Sequence, residues 1–300
     1  MKFGYGLIGA AIVLLILTSC GDPPVRSSGD TPQRIIAASP AVVEILAGFG
    51  LADNLVAAPM NAADIAGIDS SNTMFIDFGT VNFEEILNLE PDLVIMHSNA
   101  PFFGASLPQT NINRTVLHEL MLDFGIEVVY VEDAVSISEI YEKIEQLGEL
   151  TGMQREAANM TAGMQAVLSD IENRLTAVTE RRRVYFEVPA GSGIYTFGGN
   201  TFFNELLTLA GGENIFELER GWFSPNSDSV VLSDPAVIIT NAADYSSVYV
   251  IKNRPGWWAT TAVINEQVHL ISPGYTSRPS QNIVRAVEEM AAALYPELFR

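Results

Sequence analysis

The segment EEILNLEPDLVI, residues 84–95, runs from a short helical stretch through Pro91 into an apolar strand. A second segment, DSVVLSDPAVII, residues 228–239, repeats that order, and Glu84 and Asp228 are 144 positions apart, as are Pro91 and Pro235. Proline ends a helix because it lacks the N–H and holds the preceding residue out of the α region. Each segment therefore predicts a helix, a stop and a strand. Such a joint is common, so the match supports an internal repeat without requiring one.

The flanking sequence continues the alternation. Arg34–Ala38 predicts a buried strand, and Ser39-Pro40 supplies an N-cap and an N1 proline for a helix over Val42–Phe49, closed by Gly50. Phe83–Leu89 predicts a helix and Leu93–Met96 a strand. A helix around Thr115–Phe124 then leads into a strand over Glu127–Val131. Beyond the basic run Arg181–Arg183, strands are predicted over Val184–Val188, Val237–Thr240 and Val268–Ile271. Helices are predicted over Phe202–Ala210, stopped by Gly211-Gly212, and over Ile283–Leu294. Strands alternating with helices imply α/β lobes with parallel sheets.

Between the two series, Ser136–Leu150 predicts a helix that Thr151-Gly152 interrupts. Met153–Thr179 predicts another, with Met160, Met164, Val167, Leu168, Ile171 and Leu175 near helical spacing. A helix of about 25 residues runs some 37 Å, enough to cross between two lobes. The expected organisation is two Rossmann-like α/β lobes, 34–134 and 182–300, joined by linking helices over 135–181. The cleft between the lobes is the default ligand site.

The amino terminus is of another kind. The apolar run Leu7–Ile16 behind Lys2 suits a signal-peptide core and is too short for a membrane span of about 20 residues. Leu17-Thr18-Ser19-Cys20 at its edge resembles the bacterial lipoprotein processing box, which makes Cys20, the chain's one cysteine, the expected lipidation site. Residues 1–19 are then a signal peptide and 20–33, rich in Gly, Pro, Ser and Asp, a flexible tether.

Composition narrows the partners. The chain carries 36 acidic against 16 basic residues, a net charge of −20. That balance argues against nucleic acid, because phosphate contacts need a basic surface. No Gly-x-Ser-x-Gly elbow, phosphate loop or cysteine nucleophile is present, and FGGNTFF lacks dinucleotide-fingerprint spacing, so an enzyme is not expected. The three histidines, His97, His118 and His269, lack metal-ligand spacing, and no metal site is predicted. His97 follows the strand 93–96, at the carboxyl edge where open α/β sheets place ligands.

Four blocks resemble one known family in its order: RIIAASPAVVEILAGFGLADNLVA, NFEEILNLEPDLVIMHS, GGNTFFNELLTLAGGENIF and RPGWWATTAVINEQVHLISPGYTSRPSQNIVRAVEEMA. They are similar to the substrate-binding proteins of ABC importers for cobalamin, ferric siderophores and haem. The resemblance spans about residues 34–297. It implies two lobes on one crossover helix, a ligand held between them, a monomer, no cofactor beyond the ligand, and docking onto a permease with its ATPase. It further implies that Glu84 and Asp228 meet permease arginines, with Asp the shorter acid at 228. Phe78 and Trp222 match aromatic cleft positions, and Arg278 matches a cleft arginine. Asp77 stands near where haem binders often carry tyrosine, which lowers haem, although Tyr195 or His97 could serve it. The expected ligand is a corrinoid, with a ferric siderophore as the alternative, and the expected location is extracytoplasmic, anchored through Cys20.

Overall fold

A computed structural model describes residues 30–80, 83–97, 119, 121–190, 193–243 and 246–299. Cys20, the tether's first residues and His118 lie outside the described residues.

The first lobe is a five-stranded parallel sheet in the order β3-β2-β1-β4-β5. Its strands are β1 (Ile35–Ala37), β2 (Leu55–Pro59), β3 (Met74–Ile76), β4 (Leu93–His97) and β5 (Glu127–Val131). Helix α1 (Pro40–Gly48) starts behind Ser39, which has extended backbone but makes no side-chain cap bond; Pro40 fixes the first turn instead. Helix α2 (Phe83–Asn88) precedes β4. Strands β2 and β3 are not among the expected elements, and β4 runs one residue beyond the expected Met96, to His97.

Two linking helices follow. Helix α3 (Ile137–Thr151) is capped by Ser136, whose Oγ accepts from Glu139 N at 3.2 Å, and it ends in left-handed Gly152. Helix α4 (Gln154–Leu175) has 22 residues, about 33 Å at 1.5 Å per residue, and stops short of the expected Thr179. The β-branched Thr176, Val178 and Thr179 beyond it are poor helix formers. Along one stripe Ala157, Thr161, Met164 and Ile171 are buried.

The second lobe has the parallel core β8-β6-β10-β11: β6 (Arg182–Ala190), β8 (Gly212–Asn214), β10 (Val237–Thr240) and β11 (Val268–Leu270). An antiparallel ribbon that the sequence did not reveal extends it: β7 (Gly193–Phe197) on β6, and β9 (Trp222–Phe223) on β7. The helices are α5 (Phe202–Leu209), α6 (Ser227–Ser233), α7 (Ser246–Lys252), α8 (Thr261–Ile264), α9 (Pro273–Thr276) and α10 (Ile283–Leu294).

The 144-residue spacing is structural. Helices α2 and α6 begin at Phe83 and Ser227, strands β4 and β10 at Leu93 and Val237, and each pair keeps that interval. Before Pro91 and Pro235, Glu90 and Asp234 take left-handed φ values of 47° and 42°. The proline excludes the right-handed continuation, so both joints turn the chain the same way.

One apolar cluster runs through both lobes and the linking helices, from Ile35 and Ile95 through Ile144 and Met164 to Phe186 and Met290. Smaller clusters cover the other faces: Ile36, Phe78, Ile86 and Val94 in the first lobe, Tyr185, Val230 and Trp257 in the second. The carboxy-terminal segment also returns to the first lobe. Buried Glu44 on α1 accepts from Ser280 Oγ through Oε2, and its carbonyl accepts from Gln281 Nε2 at 2.8 Å. Among the described residues no helix is long and apolar enough to cross a membrane.

Candidate functional site

A cavity of about 610 Å³ opens where the carboxyl end of β5 faces the ribbon of the second lobe. Its first-lobe wall is Asp133, Ala134 and Val135; the opposite wall includes Asn200, Thr201, Phe203 and Trp222. Ser277 and Pro279 close the rim.

The aromatic wall is built by the segment FGGNTFF. Gly198 and Gly199 pass so close to the turn segment 217–221 that a Cβ on either would meet the carbonyl oxygens of Glu219 or Glu217. Their amides donate to Gly221 O at 2.9 Å and Glu217 O at 3.1 Å, and Asn200 Oδ1 accepts from Gly221 N at 2.7 Å. This lacing aligns β9 on β7 and sets Trp222 edge-on to Phe203, centroids 5.0 Å apart, and to Phe197 at 5.7 Å. Trp222 remains 51 % exposed. A large ring fixed by neighbours offers contact area with little conformational entropy left to lose.

On the facing wall, Asp133 Oδ1 lies 2.7 Å from Nε2 of His97, which is not itself among the described residues lining the cavity. His97 is 16 % exposed and Asp133 56 %. Asp133 also borders a second cavity of about 570 Å³ with Glu132, Glu139, Glu142 and the buried Lys143. Burial pushes the Lys143 ammonium below its ordinary pKa, partly opposed by the Asp133 and Glu139 carboxylates.

The other expected site residues are placed differently. Phe78 is 7 % exposed and packs with Ile36, Ile86 and Val94 in the first-lobe core, off the described cavity wall. Arg278 does not present its guanidinium to the cavity: Nη1 and Nη2 donate to Asp64 at 2.8 and 3.2 Å, and Nε lies 3.7 Å from Glu44. The Asp64 bond raises the arginine further above its ordinary pKa, against the effect of burial, and holds the Asp64 carboxyl below its own. Glu84 and Asp228 are exposed in the first turns of α2 and α6. His269 sits on β11 beside Gln267, in the second-lobe sheet, whereas His97 ends β4 in the first-lobe sheet. Among the described residues no group of three or more potential ligands is placed to hold a metal.

Asp133 was missed, although it stands two residues beyond β5, at the same carboxyl edge that singled out His97. Phe203 was readable only as helix core. Asp64 and Glu44 gave no signal, because their partners are more than two hundred positions away.

A family model described as periplasmic binding protein matches residues 35–275. The chain is 28 % identical over 274 residues to YvrC, an ABC transporter substrate-binding lipoprotein of Bacillus subtilis, covering 90 % of this chain and 82 % of that one. It is 26 % identical over 273 residues to the vitamin B12-binding protein of Vibrio cholerae, covering 87 % and 89 %. Among solved structures, a possible iron-binding periplasmic solute-binding protein from Staphylococcus epidermidis superposes with a TM-score of 0.72 at 27 % identity, covering 89 % of this chain and 100 % of that one.

Proposed function

The chain belongs to the periplasmic binding protein family, and from that premise we propose that it captures a corrinoid in the cleft and delivers it to an ABC importer. Its relatives are ABC transporter substrate-binding proteins, transport components that bind a ligand and work with a permease and ATPase and are not enzymes. The observation that carries the corrinoid reading is the half-exposed Trp222, held edge-on by Phe197 and Phe203 at a cavity of about 610 Å³. A broad planar chelate suits such a wall, and the similarity to a vitamin B12-binding protein agrees with it. His97 and Asp133 contact the ligand from the first lobe.

Glu84 and Asp228, equivalent in the two lobes, dock the protein onto the permease. A carboxylate on each lobe lets a partner read the spacing of both at once. Cys20 carries the lipid that tethers the molecule outside the cytoplasm, a reading supported by the likeness to a substrate-binding lipoprotein.

A ferric siderophore is the second reading, favoured by the likeness to a possible iron-binding protein. Mass spectrometry of the mature protein after incubation with cobalamin, cobinamide, haem and ferric siderophores separates the two. Retention of a corrinoid supports the proposal; retention of the ferric siderophore alone replaces it.

A further inference from the structure

The charge of the cavity wall carries an inference about ligand class, resting on the reading of this cleft as the ligand site. Asp133 is the one charged side chain among the described residues lining the cavity. The arginine that could have balanced it is spoken for: Arg278 sits between Ser277 and Pro279 on the rim, but its guanidinium is bonded to Asp64 and lies beside Glu44. The adjoining cavity adds Glu132, Glu139 and Glu142 on the same side, against the single buried cation Lys143. An ionised carboxylate only accepts hydrogen bonds, and has more acceptor sites than one imidazole N–H can fill. Asp133 is 56 % exposed, so its carboxylate keeps open surface beyond the 2.7 Å contact with His97 Nε2.

We propose that Asp133 selects ligands whose rim offers hydrogen-bond donors or positive charge, such as amides or ammonium groups, and rejects those with a carboxylate or other anionic rim. A donor at the rim completes the hydrogen bonding of Asp133. A carboxylate in the same place meets like charge and finds no donor cation among the described lining residues.

The test uses pairs of probes that share a core and differ in rim charge. Titrating the mature protein at low ionic strength with an amide-rimmed corrin and the corresponding polycarboxylate corrin should show at least a tenfold preference for the amide. In Asp133→Asn, and in Asp133→Ala as a second variant, that preference should fall to within about threefold, chiefly by gain of affinity for the polycarboxylate. Unchanged melting temperatures exclude a folding effect. Equal binding of both corrins by the wild type, or a preference indifferent to both substitutions, overturns the inference and leaves corrinoid capture standing. A second pair, a cationic ferric trihydroxamate and a trianionic ferric tris-catecholate, covers the case in which neither corrin binds. Preference for the cation, lost in the variants, keeps the inference and removes the corrinoid reading. Preference for the tris-catecholate, or no binding of any probe, removes both.

Discussion

Trp222 and Phe78 show how little a single aromatic letter says about its surroundings. Both matched the same expected role, yet one is 51 % exposed on the cavity and the other 7 % exposed in the core. The polar neighbourhood ERGWFSPNSD was the usable signal for Trp222; Phe78, between Asp77 and Gly79, has no periodic context to give its face away. Trp222→Ala should cost about 2 kcal/mol of binding, roughly thirtyfold in Kd, with little change in melting temperature. Corrinoid titration followed by tryptophan quenching, beside a thermal melt, measures both. Phe78→Ala should do the reverse, lowering stability by about 3–5 kcal/mol, as deletion of a buried ring does.

At Arg278 the side chain's true partners were out of sequence reach, and their pairing has a pH signature. The Arg278 bond holds the Asp64 carboxyl below its ordinary pKa. Its stabilisation is therefore complete above about pH 4 and is lost as pH falls through the lower folded value. Asp64 is 68 % exposed, so screening limits the effect to about 0.5–1 kcal/mol. Thermal melts across pH 2–6 should fall less steeply for Asp64→Asn than for wild type. Parallel curves would sink this assignment.

Among the elements, those with continuous apolar runs or clear stops were legible: α10, β5 and β10 lie where the sequence places them. The ribbon β7–β9 was not, because a two-residue strand has no period and its alignment depends on a close pass of Gly198-Gly199 against a distant backbone. The equivalent joints after α2 and α6 give a sharper test. A non-glycine residue in the left-handed region costs about 1–2 kcal/mol, which glycine avoids in part. At Glu90 the described bonds use only the backbone, from Arg34 Nε to its carbonyl and from its own N–H to Leu87 O, so Glu90→Gly should be neutral or stabilising by up to about 1 kcal/mol. Asp234 differs, since its carboxylate accepts from Thr261 N at 2.7 Å and Thr261 Oγ1 at 2.9 Å. Asp234→Gly should destabilise by about 1 kcal/mol or more. Urea unfolding of the two variants measures the contrast, and equal shifts would refute it.

For the whole molecule, the two-lobed plan was readable because the joint recurs and the apolar stripe of α4 spans the interval between the copies. What joins the lobes besides that helix was not, since Glu44, Ser280 and Gln281 meet only through the finished fold. Function at this scale is tested by two variants. Replacing Glu84 and Asp228 together by Ala should leave ligand affinity unchanged and reduce uptake through the cognate permease. Undiminished uptake would return both to ordinary surface charge. Cys20→Ala should move the protein from the membrane to the soluble fraction, and persistent membrane attachment would mean that the apolar run itself is the anchor.

The return of the carboxy-terminal segment onto α1 also bears on timing. With Glu44 seated against Ser280 and Gln281, and Arg278 bonded to Asp64, the lobes share one core and a second clasp away from the crossover helix. Under the proposed function, a guest entering a vessel already held in shape meets little reshaping cost, which leaves escape to be set by the contacts. On the proposed docking through Glu84 and Asp228, emptying the vessel is then work done across that clasp by the permease that holds both lobes.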